Sequence, residues 1–304
     1  MRVELLGVHR LTFDDGGPVR AASGIAPFGG GWLVAQDDSV DAAWWTGSSV
    51  RRLRVLDPVG GHDVFGPAAG TKHLKPDLES ACAVPAVGGV LLLGSGSLPA
   101  RTSAVLVQPT VSGTRVLDAD VGALCAQVVE VLRLGPGQLN LEGACVLGDV
   151  LRWFQRGSSA QGVPSASVDV DLTALLAALD GSGSVHAVRV GAPRRYALGT
   201  AAGLALAVTD AVALPDGRVL VSTAAEDTAD PVADGPMVAS GLAVLDGGDV
   251  VATAALPALD GVPAKVEGLA VTASAQSHLD LLAVVDEDAE GVPSPVLELR
   301  LTGL

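Results

Sequence analysis

Glu79, Glu142 and Glu267 each open the same short pattern of a carboxylate, a small residue and an apolar run: Glu79-Ser-Ala-Cys-Ala, Glu142-Gly-Ala-Cys-Val and Glu267-Gly-Leu-Ala-Val. Ser23-Gly-Ile-Ala-Pro and Thr209-Asp-Ala-Val-Ala open it with a hydroxyl instead. The five leading positions are 56, 63, 67 and 58 residues apart, a spacing loose in length but regular in order. Oxygen-bearing side chains at matched positions of a repeat suit a hard divalent cation. Calcium takes about six to eight oxygens from carboxylates, hydroxyls, carbonyls and water, and magnesium uses the same donor type. The His and Cys ligands that zinc favours are missing from these positions. A glutamate at a strand start can equally cap a turn or bond a neighbouring strand.

Cationic residues stand close to the same motifs. Of only three lysines, Lys72, Lys75 and Lys265, the second precedes Glu79 by four residues and the third precedes Glu267 by two. Their ammonium groups suit an anionic ligand, or else pairing with the leading carboxylates. A second apolar run follows each leading segment and ends in a polar cluster. The clusters are Gln36, Asp37 and Asp38; Ser95, Ser97 and Arg101; Gln155 and Arg156; Glu226, Asp227 and Asp230; and Asp286, Glu287 and Asp288. Arg101 and Arg156 add guanidinium forks to this set, and Glu226 and Asp286 are candidate general bases. His73 is the histidine nearest these motifs. No Gly-rich phosphate loop, zinc-protease helix or nucleophile elbow appears.

The elements that must carry these residues are strands. Each repeat has room for four strands of about six residues, and Pro215-Asp-Gly217 and Gly88-Gly89 are hairpin signals between the first two. Third strands are expected at Ser103–Gln108 and Gly241–Leu245, and fourth strands at Val50–Leu56 and Val250–Ala255. The last repeat runs out after three strands, near Pro295–Leu301, and the strand at Val3–Leu11 would complete it. The expectation is an all-β, five-bladed β-propeller over 1–304 as a single domain, with blades starting near 23, 79, 142, 209 and 267. Two short helical insertions, Asp120–Arg133 and Asp171–Leu179, are expected to flank the third blade. In that architecture the leading residues form a ring at one mouth of the central channel, and the ends of the second strands return to the same mouth.

Composition narrows the partners. With 34 acidic against 19 basic residues, the net charge of −15 argues against nucleic acid or an anionic membrane. The uncharged stretch Ser80–Ala100 is broken by Pro and Gly into two buried strands and a turn. Glu4 interrupts what a signal peptide would need as an apolar core, and the three cysteines lack metal-type spacing, so the chain is expected to be cytoplasmic.

Several segments carry a family resemblance. Lys75-Pro-Asp-Leu-Glu79, Leu139-Asn-Leu-Glu142-Gly, Thr209-Asp-Ala-Val-Ala-Leu-Pro-Asp-Gly, Ala225-Glu-Asp-Thr, Asp234-Gly-Pro and Lys265-Val-Glu267-Gly-Leu resemble an uncharacterised bacterial β-propeller family. The Glu-Gly elements are also similar to those of phytase-like esterase and SdiA-regulated propellers. The ring order Ser, Glu, Glu, Thr, Glu is similar to that of calcium-activated nucleotidases (apyrases), five-bladed propellers whose central calcium takes one ligand from each blade. By position, that resemblance implies Ser23, Glu79, Glu142, Thr209 and Glu267 as ligands. Thr209 stands where a serine is expected, and the nucleotide-contacting residues of those enzymes have no match here. The resulting expectation is a calcium- or magnesium-dependent hydrolase of a phosphate ester or anhydride. Glu226 or Asp286 would act as base, and Lys75, Arg101, Arg156 and Lys265 would bind an anionic small-molecule substrate. The alternatives are a non-enzymatic binding propeller with a structural axial metal, and a glycosidase or lactonase.

Overall fold

The structure, a computed structural model, describes residues 1–227, 235–287 and 291–304. Asp230 and Asp288 of the polar clusters lie outside the described residues. Strand β1 (Arg2–Arg10) leads into blade 1, which is β2 (Ala22–Phe28), β3 (Gly31–Gln36), β4 (Asp41–Trp45) and β5 (Val50–Arg54). Blade 2 is β6 (Leu78–Val84), β7 (Gly89–Gly94), β8 (Ser103–Thr110) and β9 (Gly113–Asp120). After helix α1 (Gly122–Leu132) comes blade 3: β10 (Leu141–Leu147), β11 (Val150–Gln155), β12 (Ala166–Asp171), helix α2 (Leu172–Leu179) and β13 (Val190–Arg195). The ribbon β14 (Thr200–Ala201) and β15 (Leu204–Ala205) leads to blade 4, which is β16 (Ala207–Ala213), β17 (Val219–Glu226), β18 (Met237–Asp246) and β19 (Asp249–Ala255). A second ribbon, β20 (Ala258–Leu259) and β21 (Val262–Pro263), precedes β22 (Val266–Ser274), β23 (His278–Val285) and β24 (Pro295–Thr302). β1 completes blade 5 by pairing antiparallel with β24, from Arg2 opposite Thr302 to Arg10 opposite Pro295. The result is the expected five-bladed β-propeller. Closure by the N-terminal strand gives the last blade its fourth strand and covers the edge of β24.

Burial explains why the inner strands read as apolar runs and the outer ones do not. Val90, Leu91, Leu92 and Leu93 are all 0% exposed; Leu91 and Leu93 pack toward blade 3, and Val90 and Leu92 toward blade 1. Each such leucine stabilises the fold by about 1.5–3 kcal/mol relative to an exposed one. Five apolar clusters fill the five gaps between neighbouring blades, the largest also taking in both helices. The outer strands β1, β9 and β19 alternate in exposure and carry the charges.

The helices differ slightly from expectation. α1 lies between blades 2 and 3, whereas α2 sits inside blade 3, between β12 and β13. Asp171 caps α2 by accepting from the Ala174 N–H at 3.0 Å. Asp120 remains in β9 and accepts from the Gly122 N–H at 2.8 Å, which delays the start of α1 by two residues. Among the described residues no helix is long and apolar enough to cross a membrane. Ser80–Ala100 contains most of β6, all of β7 and short turns, and Cys82, Cys125 and Cys145 are buried and unbridged.

Candidate functional site

The ring positions share one backbone irregularity. In every inner strand the pairing with the second strand slips by one residue: between Ala22 and Gly24, Leu78 and Ser80, Leu141 and Gly143, Val208 and Asp210, and Val266 and Gly268. Ser23, Glu79, Glu142, Thr209 and Glu267 are therefore the extra residues of five equivalent β-bulges, a device that re-aims a side chain away from the ladder. The glycines beside them let the inner strands meet. A Cβ on Gly268 would lie 2.7 Å from Gly24 Cα and 2.5 Å from Val284 Cγ2.

Equivalent backbone positions nevertheless serve different purposes. The Ser23 hydroxyl donates to the Leu78 carbonyl of the next blade, and Thr209 Oγ1 donates to the Val266 carbonyl at 2.6 Å, with Ser222 Oγ 2.8 Å away. Both hydroxyl protons are thus committed to stitching neighbouring blades, and neither residue lines the cavity at the mouth. The three glutamates do line it, together with Asp37, Asp77, Glu226, Asp286, Lys75, Arg101, Arg156 and Lys265. The cavity measures about 80 Å³. His73 is exposed and is not part of its wall.

All four expected anion-binding cations face carboxylates of this same cavity. Lys75 Nζ lies 2.5 Å from Asp37 Oδ2 and 2.6 Å from Asp77 Oδ1. Arg101 Nη1 donates to Asp77 Oδ2 at 2.8 Å and to Ser97 Oγ at 3.1 Å. Arg156 reaches Glu142 Oε1 and Glu226 Oε1, each at 2.8 Å, and Asn140 Nδ2 donates to Glu142 Oε1 at 2.8 Å. Lys265 Nζ is 3.2 Å from Glu267 and 4.0 Å from Glu226. Of the two roles open to the lysines, pairing with nearby carboxylates is the arrangement seen.

A second ring of positions, of which the motifs single out Lys265 but not Asp77 or Asn140, supports the first. The residue two before each bulge accepts a backbone hydrogen bond from the residue just past the second strand: Ala21 from Asp37 (3.0 Å), Asp77 from Ser95 (3.0 Å), Asn140 from Arg156 (2.8 Å) and Lys265 from Asp286 (3.1 Å). In blade 4 the pair at this register is Ala207 and Ala224, and Glu226, two residues further on, supplies the polar group. Asp77 and Asn140 could have been found from the sequence by the offset that brought Lys265 to notice, two residues before a ring glutamate. Asp77 adopts φ +56°, a left-handed conformation that Asp tolerates better than most residues.

Burial dominates the electrostatics. Desolvation pushes Glu79 and Glu267 well above the usual carboxylate range, despite Lys75 and Lys265 respectively, and pushes Glu142 up to about 7 despite Arg156. Asp37 is raised for the same reason. Asp77 is also desolvated, but the Lys75 ammonium and Arg101 guanidinium more than offset this and hold it below the ordinary range. The Lys75 and Arg156 cations are desolvated as well, yet their carboxylate neighbours hold both more firmly protonated than usual.

Asp210, also overlooked, occupies the layer beneath this cavity. It is 0% exposed and accepts from the Leu269 N–H at 2.6 Å. Its carboxyl thereby ties blade 4 to blade 5 at the axis. Desolvation pushes its pKa far up despite backbone donors.

The donor chemistry fits a hard cation, at a place displaced from the expected ring. One oxygen each from Asp37, Asp77 and Glu79 lie within 4.8 Å of one another, so Glu79 is the ring member that joins this group. Glu142 Oε2 is a buried acceptor without a hydrogen-bond partner. An all-oxygen set of this kind suits calcium or magnesium rather than zinc. Lys75 Nζ lies between Asp37 and Asp77, with the Arg101 guanidinium on the other oxygen of Asp77.

No curated protein matches the chain. Among solved structures, the chain is similar to a luciferin-regenerating enzyme (13% identity, TM-score 0.40, 94% of this chain and 78% of that one). A GDP-Man-dependent mannosyltransferase from Leishmania mexicana is similar at 12% identity and TM-score 0.46, over 98% of this chain and 91% of that one. A gluconolactonase-like protein follows at 12% identity and TM-score 0.39, over 90% and 72%. At residues 71–290 the sequence matches an established family profile, and the chain belongs to that family, a family of unknown function (DUF6910).

Proposed function

We propose that the protein is a divalent-cation-dependent hydrolase of a small phosphate ester or anhydride, acting at the axial mouth. The observation that carries this reading is the gathering of carboxylates from all five blades in one cavity, with Asp37, Asp77 and Glu79 close enough to share an ion. Calcium is the ion these donors favour, with magnesium as the alternative; when bound it would polarise a phosphoryl oxygen and lower the pKa of a coordinated water. Glu226 and Asp286, both on the cavity wall, are the residues assigned to accept the proton. Lys75, Arg101, Arg156 and Lys265 are the groups assigned to offset charge on the ester. Three buried, unbridged cysteines accord with a cytoplasmic location.

One observation favours the non-enzymatic reading, a binding propeller with a neutralised axis: Lys75 already pairs with Asp37 and Asp77. A glycosidase needs stacking aromatics, and no aromatic side chain lines the cavity among the described residues.

Metal analysis and thermal melts in calcium and in chelator test the shared premise. A panel of nucleotides, phosphate esters, lactones and aryl glycosides then tests the chemistry. Phosphate release that stops in chelator is the expected result. Absence of both bound metal and a calcium-dependent melting shift overturns the proposal. Calcium-dependent stability with silence across the panel transfers the assignment to the binding propeller.

A further inference from the structure

The axis holds a second cavity, chemically opposite to the first. Beyond the bulge layer the five inner strands line an open-ended cavity of about 250 Å³. Its wall includes Ile25, Ala81, Ala144, Ala211, Leu269 and Ala270, so every blade contributes to it. No charged side chain lines it, and the thiols of Cys82 and Cys145 are the most polar side-chain groups on its wall. It shares no lining residue with the mouth cavity. The layer between the two holds Asp210 and the close-packed Gly24, Gly143 and Gly268. Asp210 takes up the amide of Leu269, which removes one backbone donor from the floor.

These walls define the ligand class. An ion or a phosphate entering here would lose hydration without gaining a charged partner, a large unfavourable term. An uncharged apolar molecule loses little and gains dispersion contact with all five blades. The volume exceeds the ~150 Å³ apolar cavity that takes benzene and falls short of the ~300 Å³ at which drug-sized sites begin. We propose that this axial cavity binds a small, uncharged aromatic of one or two rings, or a comparably sized hydrocarbon-rich molecule, independently of any chemistry at the polar mouth. Both thiols are raised by burial, Cys145 to about 12, so they act as neutral wall and not as nucleophiles.

The test uses 5-fluoroindole as the probe, titrated into the full chain and followed by fluorine NMR. Saturable one-to-one binding is expected. Ala213→Phe, which fills the cavity from a half-buried position, should weaken it at least about tenfold, and the charged 5-fluoroindole-2-carboxylate should not bind. No saturation up to the probe's solubility overturns the proposal, as does undiminished binding in a folded Ala213→Phe protein. If that variant does not fold, xenon-pressurised crystals of the unaltered chain decide. Xenon bounded by Ala144, Ala211 and Ala270 supports the site, and an ordered water chain in its place overturns it. Phosphate-ester turnover has no bearing on either outcome.

Discussion

Glu142 of blade 3 and Glu226 of blade 4 are held by a single guanidinium, with Arg156 Nη1 2.8 Å from Glu142 Oε1 and Nη2 2.8 Å from Glu226 Oε1. The ring carboxylate of one blade is thereby tied to the second-strand carboxylate of the next. Removing the guanidinium leaves two desolvated carboxylates without it, and breaking a buried pair from one side is far more destabilising than replacing both partners. Arg156→Met should lower stability by about 3–5 kcal/mol at pH 7.5 in urea denaturation, with part of the loss recovered in the double variant Arg156→Met/Glu142→Gln. A loss below about 1 kcal/mol would place this pair among weak surface contacts.

Stability should fall as pH rises through the neutral range. Glu142 has a folded pKa of about 7 against an ordinary value of 4.5, so between these values the folded chain binds more protons than the unfolded one. Its contribution is complete below the unfolded value, declines across the window at about 1.4 kcal/mol per unit of displacement, and is gone above the folded value. Glu79, Glu267 and Asp37 are displaced in the same direction. Asp77, held low, acts oppositely but only in the acid range below the ordinary Asp value. Urea titrations at pH 5, 6, 7 and 8 should therefore show decreasing unfolding free energy, with a shallower slope in Glu142→Gln. A curve that rises over this range contradicts the assignment.

Lys75 and a divalent cation compete for the same three carboxylates. In Lys75→Met, Asp37, Asp77 and Glu79 lose the ammonium that offsets them, so the variant should melt lower in chelator. It should also bind calcium more tightly, by about tenfold or more in calorimetric titration, because no internal cation must be displaced. Equal affinity in the two proteins would move the ion away from this cluster.

Asp210 fastens blade 4 to blade 5 through the Leu269 amide at the axis. Asp210→Ala strands that donor at a fully buried position and should cost about 1–3 kcal/mol. Asp210→Asn keeps an acceptor oxygen of nearly the same shape and should lose less. Chemical denaturation of both variants checks the order, and an alanine variant as stable as the asparagine one would remove the clasp role.

Much of this organisation is legible in the sequence because strand burial writes itself as composition. Val90–Leu93 must be apolar because both faces pack on other blades, whereas β19 alternates because one face meets water. The five leading segments repeat because each builds the same bulged inner strand, so their order, and the closure by β1, can be read before any coordinates are known. The role of each member cannot. Nothing local distinguishes Thr209, whose hydroxyl donates to the Val266 carbonyl, from Glu267, which turns into the mouth beside Lys265.

What the sequence by itself determined is the repeat, the fold class and the register that brings the three leading glutamates to one mouth, since these follow from hydrophobic period and spacing. Only the tertiary structure decided which charges meet. Asp37 and Lys75 lie 38 residues apart, on different blades, yet touch at 2.5 Å. The Leu269 amide finds its acceptor in Asp210, 59 residues earlier. Coulomb energy and desolvation depend on distance and burial in space, and neither is a property of position along the chain.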